Sequence, residues 1–197
     1  MDTIGTIHAC SRSLRPVATL TIILVASMLA ACGLSVESLV PDLSGQHYVP
    51  SKLTLRILPV SDTPIFNRGM GAVSGEMMRD AVVLALGKAN LFSAVVTDST
   101  ADLTLQIDLI QQLDVVQRSL SRWEHRREVI VAYELVEPAT KQIVWKDTIR
   151  TVAGSTAIGG NAAVTESSEG AVRENIKALV LAAGDQWPRN ARKTGER

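Results

Sequence analysis

The sequence predicts an α+β domain in which two helices pack on one face of a mostly antiparallel sheet of about five strands. Three observations carry this prediction. Several segments alternate apolar and polar side chains, as strands with one buried face do. Two other segments repeat apolar side chains at helical spacing. The elements follow one another in the order β-α-β-β-β-β-α, which favours a layered α+β arrangement.

The first strand and the first helix open the domain. Residues 53–60 (LTLRILPV) are rich in strand formers and predict a strand that ends at Pro59. A loop then leads to a predicted helix at 74–89, where Ser74 can cap the free backbone N–H groups of the first turn. The predicted inner face of this helix consists of Met78, Val82, Ala85 and Ala89.

Four further strands are predicted to follow the helix. They span residues 91–97, 101–117, 128–136 and 142–152, and the last two are joined by a hairpin turn at 137–141. The second of these strands has the clearest alternation. Its predicted buried side chains are Leu103, Leu105, Ile107 and Leu109.

A final helix is predicted to close the domain. A Gly- and Ala-rich loop at 154–161 precedes it, the helix begins near Ser167 or Ser168, and it ends around Gln186, before Pro188. Its predicted inner face is Val172, Ile176, Leu179 and Ala183, with Trp187 sealing the end and Trp145 of the last strand packing at the sheet. Residues 188–197 are charged and predict a disordered tail.

Composition and motifs exclude several classes of function. Lys and Arg number 20, as do Asp and Glu, so the chain lacks the basic surplus expected of a nucleic-acid binder. His47 and His125 lie far apart, and no second cysteine follows Cys32, so no metal and no cofactor are expected.

No catalytic residue is predicted, and we expect a protein that is not an enzyme. Gly69, Gly71 and Gly75 lie between a strand and a helix but do not have the spacing of a nucleotide-binding loop. Ser74 does not stand in a G-x-S-x-G elbow. A hydrolase whose active site is assembled by the fold around His125 or Ser74 remains an alternative.

The first 31 residues have the layout of a signal peptide. Arg12 and Arg15 precede an apolar run from Pro16 to Ala31 that contains no charged residue. At roughly 16 residues this run is shorter than the ~20 that a transmembrane helix needs, and no basic cluster follows it. We therefore expect residues 1–31 to be removed on export.

The end of the leader reads Leu29-Ala30-Ala31-Cys32 and resembles the lipobox of bacterial lipoproteins. The resemblance implies that Cys32 becomes the acylated first residue of the mature protein, attached to the membrane by its lipid, palmitate among the acyl chains. Gly33 stands where many inner-membrane lipoproteins have Asp, so the same resemblance implies the outer membrane with the domain facing the periplasm. Inner-membrane retention, or a plain secretory signal, remains an alternative.

Two segments outside the predicted elements carry further expectations. Residues 33–52 mix Ser, Pro, Gly and polar side chains, and predict a poorly ordered tether between the lipid and a domain at 53–187. The connection RSLSRWEHRR at 118–127 concentrates arginines around a tryptophan. It predicts either a solvated hairpin tip or a binding surface for anionic headgroups or a protein partner, formed by Arg118, Arg122, Trp123, Arg126 and Arg127.

Three short sequence segments of the domain resemble segments of small outer-membrane lipoproteins of the cell envelope. They are ADLTLQI at Ala101–Ile107, YEL and VWK between Tyr133 and Lys146, and RENIKAL at Arg173–Leu179. The families concerned include auxiliary lipoproteins of ABC-type lipid transport and lipopolysaccharide-assembly lipoproteins. The resemblance implies a noncatalytic binding or assembly component of an envelope complex, with Cys32 as the functional residue that carries over. A structural lipoprotein that bridges membrane and cell wall is the other noncatalytic alternative.

Overall fold

The computed structural model describes residues 34–62, 71–97, 99–118, 123–155 and 160–194. Within these ranges the strands are β1 (Thr54–Ile57), β2 (Ser61–Asp62), β3 (Ala94–Val96), β4 (Leu103–Arg118), β5 (Trp123–Glu137) and β6 (Gln142–Gly154), and the helices are α1 (Gly75–Ala89) and α2 (Gly160–Thr194). A short 3-10 helix at Glu37–Leu39 precedes β1.

The strands form one sheet in the order β3-β1-β4-β5-β6, with β2 beside β4. The long strands β4, β5 and β6 are antiparallel neighbours, whereas β1 runs parallel to both β3 and β4. The predicted α+β architecture is confirmed, but the sheet is mixed rather than mostly antiparallel. The reason is that α1 carries the chain back between β1 and β3, and such a crossover makes the two strands parallel.

One face of the sheet carries the core. The four β4 side chains predicted to be buried are at most 4% exposed, and those of β5 that share their face are also buried. Both helices cover this face. The hydrophobic helix residues that are at most 1% exposed are Met78, Ala81, Val82, Ala85, Leu86, Ala171, Val172, Ile176, Leu179, Val180, Ala183 and Trp187.

Two residues mark the ends of the helix layer: Ser74 caps the start of α1, and Trp187 packs in the core near the end of α2. The Ser74 hydroxyl accepts a hydrogen bond from the Met77 N–H at 3.2 Å, which confirms the predicted cap. Trp187 is fully buried, and its ring centroid lies 6.0 Å from that of Phe92 and 5.1 Å from that of Trp145. The two tryptophans therefore pack in the core, as predicted.

A buried polar network fixes α2 on the sheet. Tyr133 Oη donates to Asn175 Oδ1 at 2.7 Å, and Asn175 Nδ2 donates to the Ile149 carbonyl at 2.9 Å. Thr151 Oγ1 donates to the Ala171 carbonyl at 2.8 Å. Burial raises the pKa of Tyr133, so the phenol stays protonated and remains a donor. These bonds determine how α2 is rotated and where it lies along β5 and β6.

Several predicted boundaries are wrong, mainly because the elements are longer than their apolar cores. β5 begins at Trp123 rather than Glu128, since its pairing with β4 continues through charged residues. α2 begins at Gly160 rather than near Ser167 and continues past Pro188 to Thr194, well into the predicted disordered tail. Proline removes one backbone hydrogen bond from a helix, and here it does not end the helix.

The segment at 34–52, which we call the N-terminal arm, is not a loose tether as predicted. Leu39 is fully buried, and Leu34, Val36, Leu43 and Tyr48 pack against the core. The arm packs its 3-10 helix against both α1 and α2. Its pattern lacks a period because it forms neither a strand nor a long helix, yet its apolar side chains are spaced closely enough to be buried.

The contact between Tyr48 and Gly184 tests the docking of the arm. A Cβ atom placed on Gly184 would overlap Cε1 of Tyr48, so Gly184→Ala must displace the ring. We expect the free energy of unfolding in urea to fall by about 1–3 kcal/mol. Gly87→Ala in α1 is the control, because nothing lies within 4 Å of its added Cβ, and it should stabilise by about 0.5–1 kcal/mol. Equal effects of the two substitutions would contradict the docked arm.

The start of the parallel β1–β4 pair depends on Asp102. Its Oδ2 accepts hydrogen bonds from Thr54 N at 2.8 Å and Thr54 Oγ1 at 2.7 Å, and these bonds lower the pKa of Asp102 from 3.8. The carboxylate therefore stabilises the fold above about pH 4, and this contribution is lost as the pH falls through the lowered pKa.

We expect Asp102→Asn to reduce the free energy of unfolding at pH 7 by at most about 1 kcal/mol, because the carboxylate is exposed and screened. The difference from the parent protein should shrink in a series of urea titrations at decreasing pH. A difference that does not change with pH would show that the ionised carboxylate is not the stabilising group.

Candidate functional site

The most concentrated polar chemistry lies where the core face of the sheet runs beyond its apolar part. Strand alternation places Asp114, His125 and Arg127 on that face, and the register pairs Asp114 with Arg127. The first turns of α2 bring Ser167 down onto them. We call these four residues the polar cluster.

The distances within the polar cluster are those of direct contacts. His125 Nδ1 lies 2.8 Å from Ser167 Oγ, and His125 Nε2 lies 3.5 Å from Asp114 Oδ1. Arg127 Nε lies 2.8 Å from the same Asp114 oxygen. Ser167 Oγ donates to the Val164 carbonyl at 3.0 Å. The cluster thus ties the start of α2 to the β4–β5 pair.

Arg127 is a buried cation. It is 1% exposed, and burial lowers its pKa while the neighbouring Asp114 carboxylate opposes that shift. The side chain of Asp114 is 36% exposed, so water screens the pair from one side. Because a buried charge is costly unless it is paired, the Asp114 carboxylate helps to keep Arg127 inside the fold.

The contact of serine, histidine and aspartate is reminiscent of a hydrolase triad, but its geometry does not suit nucleophilic catalysis. Ser167 is fully buried, so a substrate has no access to its hydroxyl. Its hydroxyl lies between the Val164 carbonyl and the ring of His125, both inside the fold. Ser74, the other candidate nucleophile, is engaged as a helix cap.

The residues of the predicted arginine-rich surface do not all lie together. Arg126 is half-buried on the open face of the sheet, whereas Arg127 points to the covered face because neighbouring strand residues alternate. Arg127 is therefore not part of a surface, contrary to the prediction. Arg118 and Trp123 form the last backbone pair of β4 and β5. Arg122 and the predicted lipobox with Cys32 lie outside the described residues.

The open face of the sheet has exposed aliphatic side chains that were not predicted as a site. Leu113 and Val152 flank Glu128 across three neighbouring strands, and they are 39% and 51% exposed. In the next row Val115, 42% exposed, lies opposite Arg126. Glu128 forms an ion pair with Arg150. We call Leu113, Val115, Glu128 and Val152 the open-face patch.

A sequence signal for the open-face patch does exist. Beyond Leu109 the register of β4 against β5 shifts by one residue. Odd-numbered residues of β4 face the core up to Leu109, and after this bulge they face the open side of the sheet. Two apolar residues, Leu113 and Val115, then alternate with Gln112 and Asp114. A strand with this reversed alternation presents its apolar residues to solvent or to a partner.

The described ranges contain neither a membrane-spanning helix nor a metal-binding cluster. No helix there is long and apolar enough to cross a membrane. Among the same residues, no group of three or more histidine, cysteine or carboxylate side chains could hold a metal ion.

The fold is similar to those of two solved bacterial proteins. Protein XCC0632 from Xanthomonas campestris, of the DUF330 family, is 17% identical with a TM-score of 0.57, over 80% of this chain and 94% of that one. A Helicobacter pylori protein, assigned provisionally as a neuraminyllactose-binding hemagglutinin homologue, is 11% identical with a TM-score of 0.55, over 79% of this chain and 98% of that one. At these identities the likeness shows a shared fold alone.

Lipoproteins occur among the more distant structural neighbours. Lipoprotein GNA1162 from Neisseria meningitidis is 13% identical and covers 65% of this chain and 95% of its own, but its TM-score of 0.41 is too low to carry an argument. No protein-family model matches the sequence, and no curated protein matches it.

Replacing Asp114 tests the structural role of the polar cluster. Asp114→Asn removes the charge that compensates Arg127, and we expect a loss of about 1–3 kcal/mol in the free energy of unfolding, less than for a fully buried pair because Asp114 is partly exposed. The matched control is Glu134→Gln, whose carboxylate pairs with the exposed Lys146 at 2.8 Å and should contribute less than about 1 kcal/mol. The free energy of unfolding of both variants is measured in urea. A loss for Asp114→Asn that is smaller than the loss for Glu134→Gln would contradict the structural role of the polar cluster.

Proposed function

We propose that this protein is a lipid-anchored, noncatalytic component of the bacterial outer membrane that faces the periplasm and works within an envelope transport or assembly complex. The observation that carries the proposal is the lipobox at Leu29–Cys32, which ends directly before a folded domain. Several acyl chains on one cysteine bury enough methylene groups, at ~0.8 kcal/mol each, to hold a protein at a membrane stably.

The geometry of the domain favours binding over catalysis. The serine, histidine and aspartate that meet in the polar cluster are used to attach α2 to the sheet, and Ser167 is inaccessible. The open-face patch, by contrast, exposes aliphatic side chains next to the paired charges of Glu128 and Arg150. Exposed apolar groups bordered by charge are typical of a protein-binding surface. We assign the partner-binding role to this patch.

A periplasmic hydrolase is the second candidate, because His125 does contact both Ser167 and Asp114. It requires α2 to move so that Ser167 becomes accessible. Ser167→Ala separates the two proposals, since it removes a hydrolase's nucleophile but leaves a binding component functional. We expect the Ser167→Ala protein to recover the same partner complex as the parent protein after crosslinking in living cells and affinity purification.

The anchoring prediction concerns Cys32. We expect Cys32→Ser to yield unprocessed precursor or a protein released from the membrane fraction, because the thiol that receives the lipid is lost. Mass spectrometry of the mature N-terminus and fractionation of the two membranes measure this directly. Cys10→Ser is the matched control, since Cys10 is the only other cysteine and lies in the leader. Membrane attachment of the Cys32→Ser protein after leader cleavage would contradict the proposal.

The partner prediction follows from the open-face patch. Crosslinking in living cells, followed by affinity purification and mass spectrometry, should enrich one transport or assembly complex with the parent protein. Val152→Asp places a charge on the patch, while Ile143→Asp changes an aliphatic residue of β6 that is equally exposed but lies near the opposite end of that strand. We expect only Val152→Asp to lose the complex. Recovery of peptidoglycan alone would support the bridging lipoprotein instead.

A further inference from the structure

We propose that the N-terminal arm is the membrane-facing side of the domain, so that the arm rests on the lipid headgroups and the open face of the sheet is directed away from the bilayer. The inference rests on the proposed anchoring at Cys32. It adds the orientation and height of the domain, which the anchor motif does not specify.

The first step is the short distance between the anchor and the fold. Leu34 already packs against the core, and only Gly33 separates it from Cys32. Two Cα spacings of ~3.8 Å keep the Cα of Cys32 within about 8 Å of the Cα of Leu34. The acylated cysteine must lie at the headgroup layer for its chains to enter the bilayer, so the start of the arm lies at the membrane surface.

The second step is that the arm is held in place close to this start. Arg173 donates two hydrogen bonds to the Ser38 carbonyl, from Nε at 3.0 Å and from Nη2 at 2.6 Å. Ser38 Oγ donates to Glu169 Oε1 at 2.7 Å, and Leu39 next to it is fully buried. These hydrogen bonds lie only four residues beyond Leu34, so the chain between the anchor and the fixed part of the arm has little slack.

The third step is the direction in which the arm lies. At 3.6 residues per turn, Arg173 and Gly184 are about 160° and 180° around α2 from Asn175. Asn175 contacts the sheet, whereas Arg173 and Gly184 contact the arm. At these positions the arm thus lies on the side of α2 opposite Asn175. Because Glu169 and Gly184 are 15 residues apart, the arm follows α2 for about 22 Å at 1.5 Å per residue.

The short anchor places the start of the arm at the membrane, and in the proposed orientation the rest of the arm lies along the headgroups as well. The arm begins at the lipid and continues along the outer side of α2, so its exposed residues, such as Glu37, are closest to the headgroups. The open face, which includes the exposed Gln106 and the open-face patch, is separated from the bilayer by the helices. A periplasmic partner can reach this face without displacing the domain from the lipid.

The experiment uses thiol-attached fluorophores on the full-length lipidated protein. The mature chain contains no cysteine besides the acylated Cys32, so Glu37→Cys and Gln106→Cys each supply a single reactive thiol. Both parent side chains are exposed. The labelled proteins are reconstituted in vesicles of phosphatidylethanolamine and phosphatidylglycerol that contain a lipid with a quencher on its headgroup.

We expect severalfold stronger quenching of the fluorophore at residue 37 than of the one at residue 106. A second pair of variants carries a flexible Gly-Ser insertion of about 20 residues between Gly33 and Leu34, which lets the domain move away from the anchor. In that pair the quenching at residue 37 should fall towards the level at residue 106. This loss separates an orientation imposed by the short anchor from an intrinsic affinity of the arm for lipid.

The outcomes that overturn the inference are distinct from one another. Proteins that fail to float with the vesicles contradict the anchoring, and with it the proposed function. Proteins that float but show equal quenching at both positions contradict the orientation alone. A soluble quencher is also added to the protein in detergent, where no bilayer is present. If the fluorophore at residue 37 becomes more shielded as the protein concentration rises, a second copy covers the arm and the membrane-facing assignment is wrong.

Discussion

The burial of α2 from two sides is the constraint on which the rest of the domain depends. On one side, Asn175 of α2 bonds to Tyr133 and the helix packs on apolar residues of β5 and β6. On another side, the helix packs against Leu39 and the rest of the arm. Gly170 allows the close approach to the sheet, since an added Cβ would lie 2.9 Å from Cβ of Ala153. A helix that is apolar over so much of its circumference is stable only when both layers are present.

The sequence predicted the elements whose burial follows a regular period. Alternation identified the inner residues of β4, and the serine before the first helix identified its cap. It did not predict that β1 lies between β3 and β4 in parallel, because strand order depends on contacts such as Thr54 with Asp102, which are 48 residues apart. It also missed the arm, since side chains without a period can still be buried when they fill the groove of a helix layer.

The candidate site was harder to predict than the fold for a similar reason. Arg126 and Arg127 are neighbours in sequence, and a concentration of arginines suggested one surface. Once β5 includes them, the pleat sends them to opposite faces, so one becomes a buried structural cation and the other lies beside Val115 on the open face. The position of a strand boundary therefore decides whether a charged cluster is a surface or a pair of residues with separate roles.

The docked arm also bears on the proposed role as a lipid-anchored component. Leu39 and the side chains that pack with it belong to the same core as α1 and α2. Releasing the arm would expose the residues it covers on both helices, so arm and core are expected to open together rather than separately. A loose tether would allow a lipid-anchored domain to reach far from its membrane. With the anchor that we propose at Cys32, a tether that is part of the core would instead keep the domain at the membrane surface and leave the open face of the sheet for a partner.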